Sequence, residues 1–358
     1  MLDVSKPAES KLRRDVHLEI CQSLQYPAMT HRYDDVLEAY PETFEWAFHD
    51  PTEEQLPWNN LARWLQQGHE IYWVNGKAGS GKSTFMKHLY DDPRTRKYLA
   101  AWAGDVRLCI STFFFWNSGS REQKSQIGLL RALLYQLLFQ LPDLVPIILP
   151  ELWAKTYSNA VNETYPKQDF TQFWSFRQLI LTLKALLHQK SIPLKICFMI
   201  DGLDEFEGDY EELASLFKDI TGSRHVKACL SSRPLVVFED IFRQCPNIRL
   251  QDLTFKDIER YVLGKLSQND AFQRLSAEQP DAAPRITQEI VKKADGVFLW
   301  VRLVVQSLLN GIRNRDELCD LWERLRLMPR ELEPLYDRLL ELIDPVYLPW
   351  VSKTFQVL

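Results

Sequence analysis

A glycine-rich loop between a strand and a helix constrains this chain more than any other feature. Residues 71–84 read IYWVNGKAGSGKST, in which a β-branched and aromatic run predicts a strand and a helix-forming segment begins at Ser83. The spacing Gly76-x-x-x-x-Gly81-Lys82-Ser83 is the phosphate-loop pattern. In it, backbone N–H groups wrap phosphate oxygens, the lysine reaches the terminal phosphates and the serine hydroxyl ligates Mg²⁺. The sequence therefore predicts a site for a nucleotide and Mg²⁺.

The residue types in this loop suit an anion. Glycines let the backbone turn tightly and approach phosphate closely, and the positive end of the following helix points at the same group. A chance match has a probability on the order of one per cent at ordinary residue frequencies, and the strand before and helix after the loop lower it further. We expect nucleotide contacts from Gly76, Lys77, Ala78, Gly79, Ser80, Gly81, Lys82, Ser83 and Thr84.

An acidic motif supplies the second half of such a site. Residues 195–205, KICFMIDGLDE, predict an apolar strand that ends in an acid. Asp201 at the strand end can hold a Mg²⁺-bound water opposite Ser83, because open α/β sheets bind ligands at those ends. Asp204 or Glu205 is then placed to orient or deprotonate an attacking water. A solvated acidic turn is the alternative.

A cation stands at the end of a further predicted strand, residues 226–234, VKACLSSRP. The guanidinium of Arg233 there can stabilise charge on a γ-phosphate, and pairing with a nearby carboxylate is the alternative. The candidate catalytic residues are therefore Asp204, Glu205 and Arg233, and the candidate metal ligands are Ser83 and Asp201.

The strand and helix patterns define the fold class. Strands are predicted over residues 71–74, 106–116, 196–200, 226–234 and 247–253. They alternate with helical patterns and are apolar on both faces, which is typical of a parallel sheet covered by helices. Only helices are predicted further on, over residues 255–266, 286–294, 297–309, 316–327 and 331–343. We expect an α/β P-loop NTPase with a five-stranded parallel sheet, followed by an all-helical subdomain.

Local signals predict several helix ends. Pro93 should stop the helix after the phosphate loop, because it cannot supply a backbone N–H. Residues 120–123 have the form of a capping box, and residues 254–257 are expected to cap the first C-terminal helix. The first 24 residues are polar, so only a short helix over residues 16–24 is expected.

These patterns divide the chain, whose length favours two units. The predicted domains are an N-terminal helical lead-in over residues 1–60, the P-loop domain over 61–253, a helical subdomain over 254–345 and the start of a truncated C-terminal region over 346–358.

Composition excludes several partners. A net charge of -5 gives no polycationic field, so nucleic acid is not expected as a partner. The six cysteines are dispersed without a C-x-x-C pair, which indicates buried thiols in a reducing cytosol. The apolar stretches at residues 129–149 and 297–309 are interrupted by polar or charged residues, so no membrane span is expected. The N-terminus lacks the apolar core of a signal peptide, which favours a cytoplasmic location.

Three phrases together resemble the NACHT family of signal-transducing STAND ATPases: GKAGSGKST, IDGLDE with a small residue directly after the first acid, and a strand ending in SSRP. The further phrases TFEW, FFFWNSG, LLRALLYQLL and ADGVFLWVRLVV are similar to fungal NACHT proteins of the NOD-like receptor type, often grouped with nephrocystin-like P-loop domains. The similarity covers roughly residues 20–345.

The resemblance implies a slow ATPase that acts as a switch, closed with ADP and open and oligomerising with ATP. Its expected partners are effector and sensor modules and, in a full-length form, further copies of the same chain. ATP rather than GTP comes from the resemblance alone. By position, the loop residues hold phosphates, Asp201 serves Mg²⁺, Asp204 and Glu205 serve hydrolysis, and Arg233 senses the γ-phosphate. Gly296 and residues 297–299 would approach adenine.

The chain also departs from the family pattern. No effector domain is recognisable before residue 26, no repeats follow residue 345 and no histidine follows His225, so a winged-helix domain is missing or only begun. We therefore expect a short member or an incomplete chain that stays mostly monomeric with either nucleotide. Two other functions stay open. One is a nucleotide-binding scaffold without turnover, and the other is a small-molecule kinase, which the lack of an arginine cluster between residues 116 and 190 disfavours.

Overall fold

A computed structural model describes residues 6–50, 58–161, 170 and 173–341. It contains a five-stranded sheet in the order β2-β3-β4-β1-β5. The strands are β1 (Glu70–Asn75), β2 (Arg107–Phe114), β3 (Leu194–Asp201), β4 (Val226–Ser232) and β5 (Asn247–Arg249). β2 and β3 pair in parallel from Arg107↔Leu194 to Phe114↔Asp201, and β3 and β4 pair in parallel from Ile196↔Val226. The predicted α/β class with a parallel sheet is confirmed.

Helices accompany the strands and then continue alone. The helices before β5 are α1 (Lys6–Leu24), α2 (His31–Asp35), α3 (Leu61–Gln67), α4 (Lys82–Asp91), α5 (Pro93–Ala103), α6 (Gln126–Gln140), α7 (Val145–Ile148), α8 (Pro150–Val161), α9 (Phe176–His188), α10 (Tyr210–Thr221) and α11 (Val236–Phe242). Those after β5 are α12 (Phe255–Ser267), α13 (Asp270–Glu278), α14 (Ala282–Ala294), α15 (Phe298–Arg313), α16 (Leu318–Leu327) and α17 (Leu332–Glu341). The all-helical C-terminal region is likewise confirmed.

The chain divides into two compact units. Unit 1 comprises Met1–Glu38, Asn59–Val74 and Met86–Asn247, and unit 2 comprises Ala39–Trp58, Asn75–Phe85 and Ile248–Leu358. The predicted domain limits stay a prediction about independent folding. Residues 346–358, and the end of the predicted helix at 331–343, lie outside the part of the chain that the structure describes.

Unit 1 has a core built on the strands. β3 and β4 are buried almost throughout, as expected for strands covered on both faces. On α1, apolar residues recur every four positions, and Val16, Ile20 and Leu24 are fully buried. α1 is thus a full helix from Lys6, and the prediction of a short helix over residues 16–24 was too conservative.

Unit 2 has a separate helical core. Trp300 of α15 is fully buried at its centre, with Ile290 of α14 and Leu325 of α16 in the same cluster. Asp257 of α12 is buried too and accepts hydrogen bonds from Phe44 N (3.2 Å) and Trp46 Nε1 (3.0 Å). The predicted cap at residues 254–257 is wrong, because this carboxylate holds the loop at residues 43–46 and the Thr254 side chain does not cap α12.

Two other helix ends differ from their prediction. Pro93 begins α5, because a proline at the first helical position loses no hydrogen bond and Asp92 caps the Arg94 N–H at 2.8 Å. Ser120 and Gln123 do exchange capping-box bonds, at 2.9 and 3.4 Å, but around a short 3₁₀ turn. α6 itself begins five residues after Ser120 and has Ser125 as its N-cap.

Two general expectations can be compared with the described residues. All six cysteines are free thiols, and Cys21, Cys109, Cys197 and Cys229 are buried. Over the same residues, no helix combines the length and the apolar character needed to cross a membrane.

Candidate functional site

The phosphate loop, residues 76–81, joins β1 to α4 and lies in unit 2. Its backbone is left-handed at two positions, with φ of +71° at Gly79 and +97° at Gly81. A side chain is disfavoured at such angles, and a Cβ added at Gly81 would face open space. The conformation of the loop thus explains both glycines and leaves its concave side clear of side chains at Gly81.

The loop ends at the N-terminus of α4, where backbone donors are available. The first helical bond runs from Phe85 N to Gly81 O at 2.9 Å, so the N–H groups of Lys82, Ser83 and Thr84 precede the helical hydrogen-bond ladder. The macrodipole of α4 adds a positive field at the same point. These are the donors that a phosphate would take.

Lys82 lies across the loop. Its Nζ donates to Gly76 O at 2.8 Å and to Lys77 O at 3.0 Å. The loop interior is crowded at Gly76, where an added Cβ would come within 2.7 Å of Ser80 Oγ. Ser80 is only 1% exposed, and its hydroxyl has no hydrogen-bond partner among the described residues. A buried hydroxyl of this kind is available to a ligand oxygen.

Residues of the helical part of unit 2 also contact the loop. The N–H of Leu299 donates to Gly79 O at 2.9 Å, and Gln251 Oε1 accepts from Lys77 N at 3.3 Å. Lys77 Nζ also forms an ion pair with Asp295. Every loop in the phosphate-loop class must present its N–H groups inward, and these contacts hold its outer side.

Gly296 lies in the turn between α14 and α15. A Cβ there would come within 2.3 Å of Gln251 O, and the φ of +75° also requires glycine. The family resemblance places Gly296 and residues 297–299 near adenine. In unit 2 this turn contacts the phosphate loop through Leu299, and an adenine contact stays a prediction.

The acid motif lies in unit 1, at the end of β3. Asp201 is 1% exposed, and the Ser231 hydroxyl of β4 donates to its carboxylate. The Gly202 N–H in turn donates to Ser231 Oγ at 3.0 Å. Ser231 therefore orients the Asp201 carboxylate, a role that the sequence did not reveal because the two residues meet only through strand pairing.

Asp204 and Arg233 form a two-point contact. Arg233 Nε lies 2.9 Å from Asp204 Oδ2, and the Arg233 N–H donates to Oδ1 at 2.9 Å. The Asp204 side chain is 6% exposed, whereas that of Arg233 is 54% exposed. Pairing with a carboxylate was the alternative interpretation of Arg233, and this geometry realises it. A γ-phosphate contact stays a prediction.

Glu205 is supported from two sides. Its Oε2 accepts from Asn117 N at 3.1 Å, and its Oε1 lies 3.9 Å from Arg32 Nη2. Burial raises the pKa of the Glu205 carboxyl, and the Asn117 N–H and the Arg32 charge oppose that shift, while Asp201 and Asp204 add to it. The sequence suggested a base contact or core packing for Arg32 and gave no signal of its distant partner.

The predicted metal ligands fit Mg²⁺ in number and type. Mg²⁺ usually takes one or two protein oxygens and completes its shell with water and phosphate. Ser83 in the first turn of α4 and the buried, oriented carboxylate of Asp201 supply such oxygens. Among the described residues no group of three or more His, Cys, Asp or Glu side chains is placed to hold a metal by itself, so a metal would depend on the nucleotide.

A cavity of about 750 Å³ lies elsewhere in unit 1. It is lined by residues of α1, α6 and α8 and of the turn after α6: Arg13, Arg14, His17, Leu18, Phe139, Pro142, Asp143, Pro146 and Trp153. None of the candidate site residues lines it, so it does not bear on nucleotide chemistry.

Comparison with known proteins gives three findings. The family model described as nephrocystin 3, N-terminal, matches residues 42–233, more than half of the chain. Vegetative incompatibility protein HET-E-1 of Podospora anserina is 26% identical over 290 residues, which is 78% of this chain and 20% of that protein. The chain thus spans about a fifth of the length of that relative. The predicted resemblance to fungal NACHT, nephrocystin-like proteins is confirmed by the first two.

The third finding is a structural likeness. A structure of Drosophila ORC bound to DNA overlays with a TM-score of 0.36 and 13% sequence identity, covering 73% of this chain and 62% of that one. An overlay this loose supports no functional comparison.

Proposed function

Because the chain belongs to the nephrocystin 3, N-terminal, family, we propose that it is a nucleotide-dependent switch of the NACHT type that binds Mg-ATP and Mg-ADP and hydrolyses ATP slowly. One observation carries the proposal. The loop before α4 has two left-handed glycines, a buried hydroxyl without a partner and an inward lysine, all at the N-terminus of a helix. Together these features form an anion site.

Each loop residue has a distinct role in this proposal. The N–H groups of residues 76–84 surround the phosphates, and Lys82 neutralises the terminal ones. On phosphate arrival, Lys82 Nζ exchanges its contact with Gly76 O or Lys77 O for a charged oxygen. Ser80 is well placed to donate its unpartnered hydroxyl to the same anion.

The acid motif supplies the hydrolytic part. β3, which ends in Asp201, and β1, which leads into the loop, belong to one sheet with β4 between them, and open α/β sheets bind ligands at strand ends. Mg²⁺, when bound with the nucleotide, neutralises phosphate charge. Ser83 and Asp201 would hold it, Glu205 would orient the attacking water and Asp204 would control Arg233.

The pairing of Arg233 defines how the two nucleotides differ in this scheme. With its guanidinium on Asp204, Arg233 stabilises no phosphate. A γ-phosphate that attracts the exposed guanidinium would compete with Asp204 for it, whereas ADP would not. This offers a differential contact through which ATP and ADP favour different states.

A scaffold that binds nucleotide without turnover is the second candidate. The Asp204–Arg233 pair favours it, since both side chains are already satisfied by each other. Turnover of ATP by the parent chain, measured as phosphate release, separates the two candidates.

Partners follow from the same proposal. The relative is described as a vegetative incompatibility protein, and we propose that this chain serves a signalling process through effector or sensor proteins in the cytoplasm, with self-association in a longer form. With a net charge of -5, the chain is not proposed to bind nucleic acid. We also keep the boundary near residue 253 as a proposed domain limit.

Lys82→Ala tests the loop assignment by thermal unfolding with and without Mg-ADP. A ligand at a hundredfold excess over its Kd stabilises the native state by about 2.7 kcal/mol, so the parent should show a clear rise in Tm and Lys82→Ala should show none. Lys97→Ala, an exposed lysine on α5, serves as the control and should respond as the parent does. An equal rise in Lys82→Ala would show that the loop is not the nucleotide site.

A further inference from the structure

Residues 26–36, called the strap here, lie close to the acid motif in unit 1. Within the strap, Tyr33 donates a hydrogen bond to Asp91 of α4, and its ring packs edge-on against Phe114, with centroids 5.5 Å apart. Lys87 of α4 donates to Val36 O at 2.9 Å. The strap is thus fixed to the helix that follows the phosphate loop and to the end of β2.

The loop after β2 joins the strap to Glu205. Gln123 donates from Nε2 to Ala28 O at 3.1 Å, and the Trp116 N–H donates to Gln123 O at 3.1 Å. The next residue, Asn117, donates its N–H to Glu205 Oε2. One loop therefore contacts both the strap and the candidate water-orienting carboxylate.

Arg32 completes this arrangement from the strap. Its guanidinium carbon lies 5.7 Å from the centroid of the Trp116 ring, within the range of a cation–π contact. Its Nη2 lies 3.9 Å from Glu205 Oε1. Both side chains are 24% exposed, so the charges are only partly screened by water.

We propose that Arg32 is a positioning residue for ATP hydrolysis, holding the Glu205 carboxylate in the orientation that directs water. This inference rests on the proposed function. The Glu205 oxygens face different supports, Oε2 the Asn117 N–H and Oε1 the Arg32 guanidinium, so the carboxylate is held in one plane. Without Arg32, one support remains and the carboxylate can rotate about it.

The other charged groups around Glu205 cannot replace Arg32. The nearby carboxylates of Asp201 and Asp204 repel it, and the guanidinium of Arg233 is directed at Asp204. The pair of Lys124 and Glu207, at 3.0 Å, lies two residues further along the chain and involves a carboxylate that is 69% exposed. That pair offers a matched control, since it removes a similar charge without touching Glu205.

Steady-state ATP hydrolysis tests the inference with Arg32→Gln, Arg32→Lys and the control Lys124→Gln. A misplaced catalytic group can cost up to about a hundredfold in rate. We expect kcat to fall about tenfold or more in Arg32→Gln with KM for ATP near that of the parent. Arg32→Lys should recover part of the loss because it keeps the charge, and Lys124→Gln should match the parent.

A double substitution separates positioning from general damage to the fold. If Arg32 acts through Glu205, Arg32→Gln should lower kcat little further in a Glu205→Gln background. A nucleotide-free measurement of Tm over the same four variants should show a double loss smaller than the sum of the single losses.

The outcomes are distinct. No hydrolysis by the parent chain would refute the proposed turnover and this inference with it. Hydrolysis by the parent with an unchanged kcat in Arg32→Gln, a rise in KM alone, or additive losses with Glu205→Gln would overturn the role of Arg32 and leave the proposed function standing.

Discussion

A lysine in the centre of the sheet allows a quantitative test of the packing. Lys227 of β4 is completely buried, and its Nζ donates to Trp64 O at 3.0 Å and to Leu65 O at 2.7 Å in the last turns of α3. The ammonium also lies 4.1 Å from the ring centroid of Trp102. These contacts offset only part of the cost of burying a charge.

The cost appears as a shifted pKa, from which the sign of the pH dependence follows. Burial lowers the pKa of Lys227 from 10.5 to about 8. Below that value the folded and unfolded chains both carry the proton, and the folded chain bears the full cost. Between about pH 8 and 10.5 the unfolded chain binds more protons, so the contribution of Lys227 to stability rises with pH. One pH unit above the folded pKa the gain is about 1.4 kcal/mol.

Urea unfolding of the parent and Lys227→Met at pH 6.5 and pH 9 measures this gain. We expect the stability of the parent relative to the variant to increase by about 1.4 kcal/mol between the two pH values. Buried tyrosines and thiols titrate in both proteins and cancel in the difference. Lys97→Met gives the background for an exposed lysine. The same difference at both pH values would refute the description of Lys227 as a buried ammonium.

The remaining predictions concern the site and unit 2. Glu205→Gln should slow phosphate release while ATP binding, followed by calorimetry, is retained, because a water-orienting group acts mainly in the transition state; loss of ATP binding in proportion would contradict this role. Asp204→Asn should also slow release with ATP still bound, and an unchanged rate would remove Asp204 from the hydrolytic group. Arg233→Ala should weaken ATP more than ADP in the same titrations, and equal losses would return Arg233 to a purely structural pair with Asp204. Asp257→Ala should destabilise the chain by about 1–3 kcal/mol in urea unfolding, because Trp46 Nε1 loses its acceptor; a loss below about 0.5 kcal/mol, the level of an ordinary surface substitution, would show that the contact is not formed.

Much of the fold was predictable because its signals are local. Each strand of the sheet is a short apolar run, so β1 to β4 were found within a few residues of their observed ends. β5 was predicted too long, since residues 250–252 form a 3₁₀ turn although they carry strand-like leucines. α1 was underestimated because its buried residues are single apolar positions, four apart, in a polar segment.

The candidate site was predictable only in part, for a physical reason. The phosphate loop and the acid motif are each continuous in sequence, so spacing identifies them. The partners of Asp201, Asp204 and Glu205 come from other strands and from the strap. Local sequence does not encode such pairings, and the same is true of Asp257, whose carboxylate binds a loop more than 200 residues away.

Titration calorimetry of the whole chain with nucleotide in the presence of Mg²⁺ tests the central claim most directly. The account predicts saturable binding of both ATP and ADP with a stoichiometry near one, which is lost in Lys82→Ala and kept in Lys97→Ala. Absence of saturable binding to the parent up to millimolar ATP and ADP, in protein shown to be folded by cooperative unfolding, would contradict the assignment of residues 76–84 as a nucleotide site.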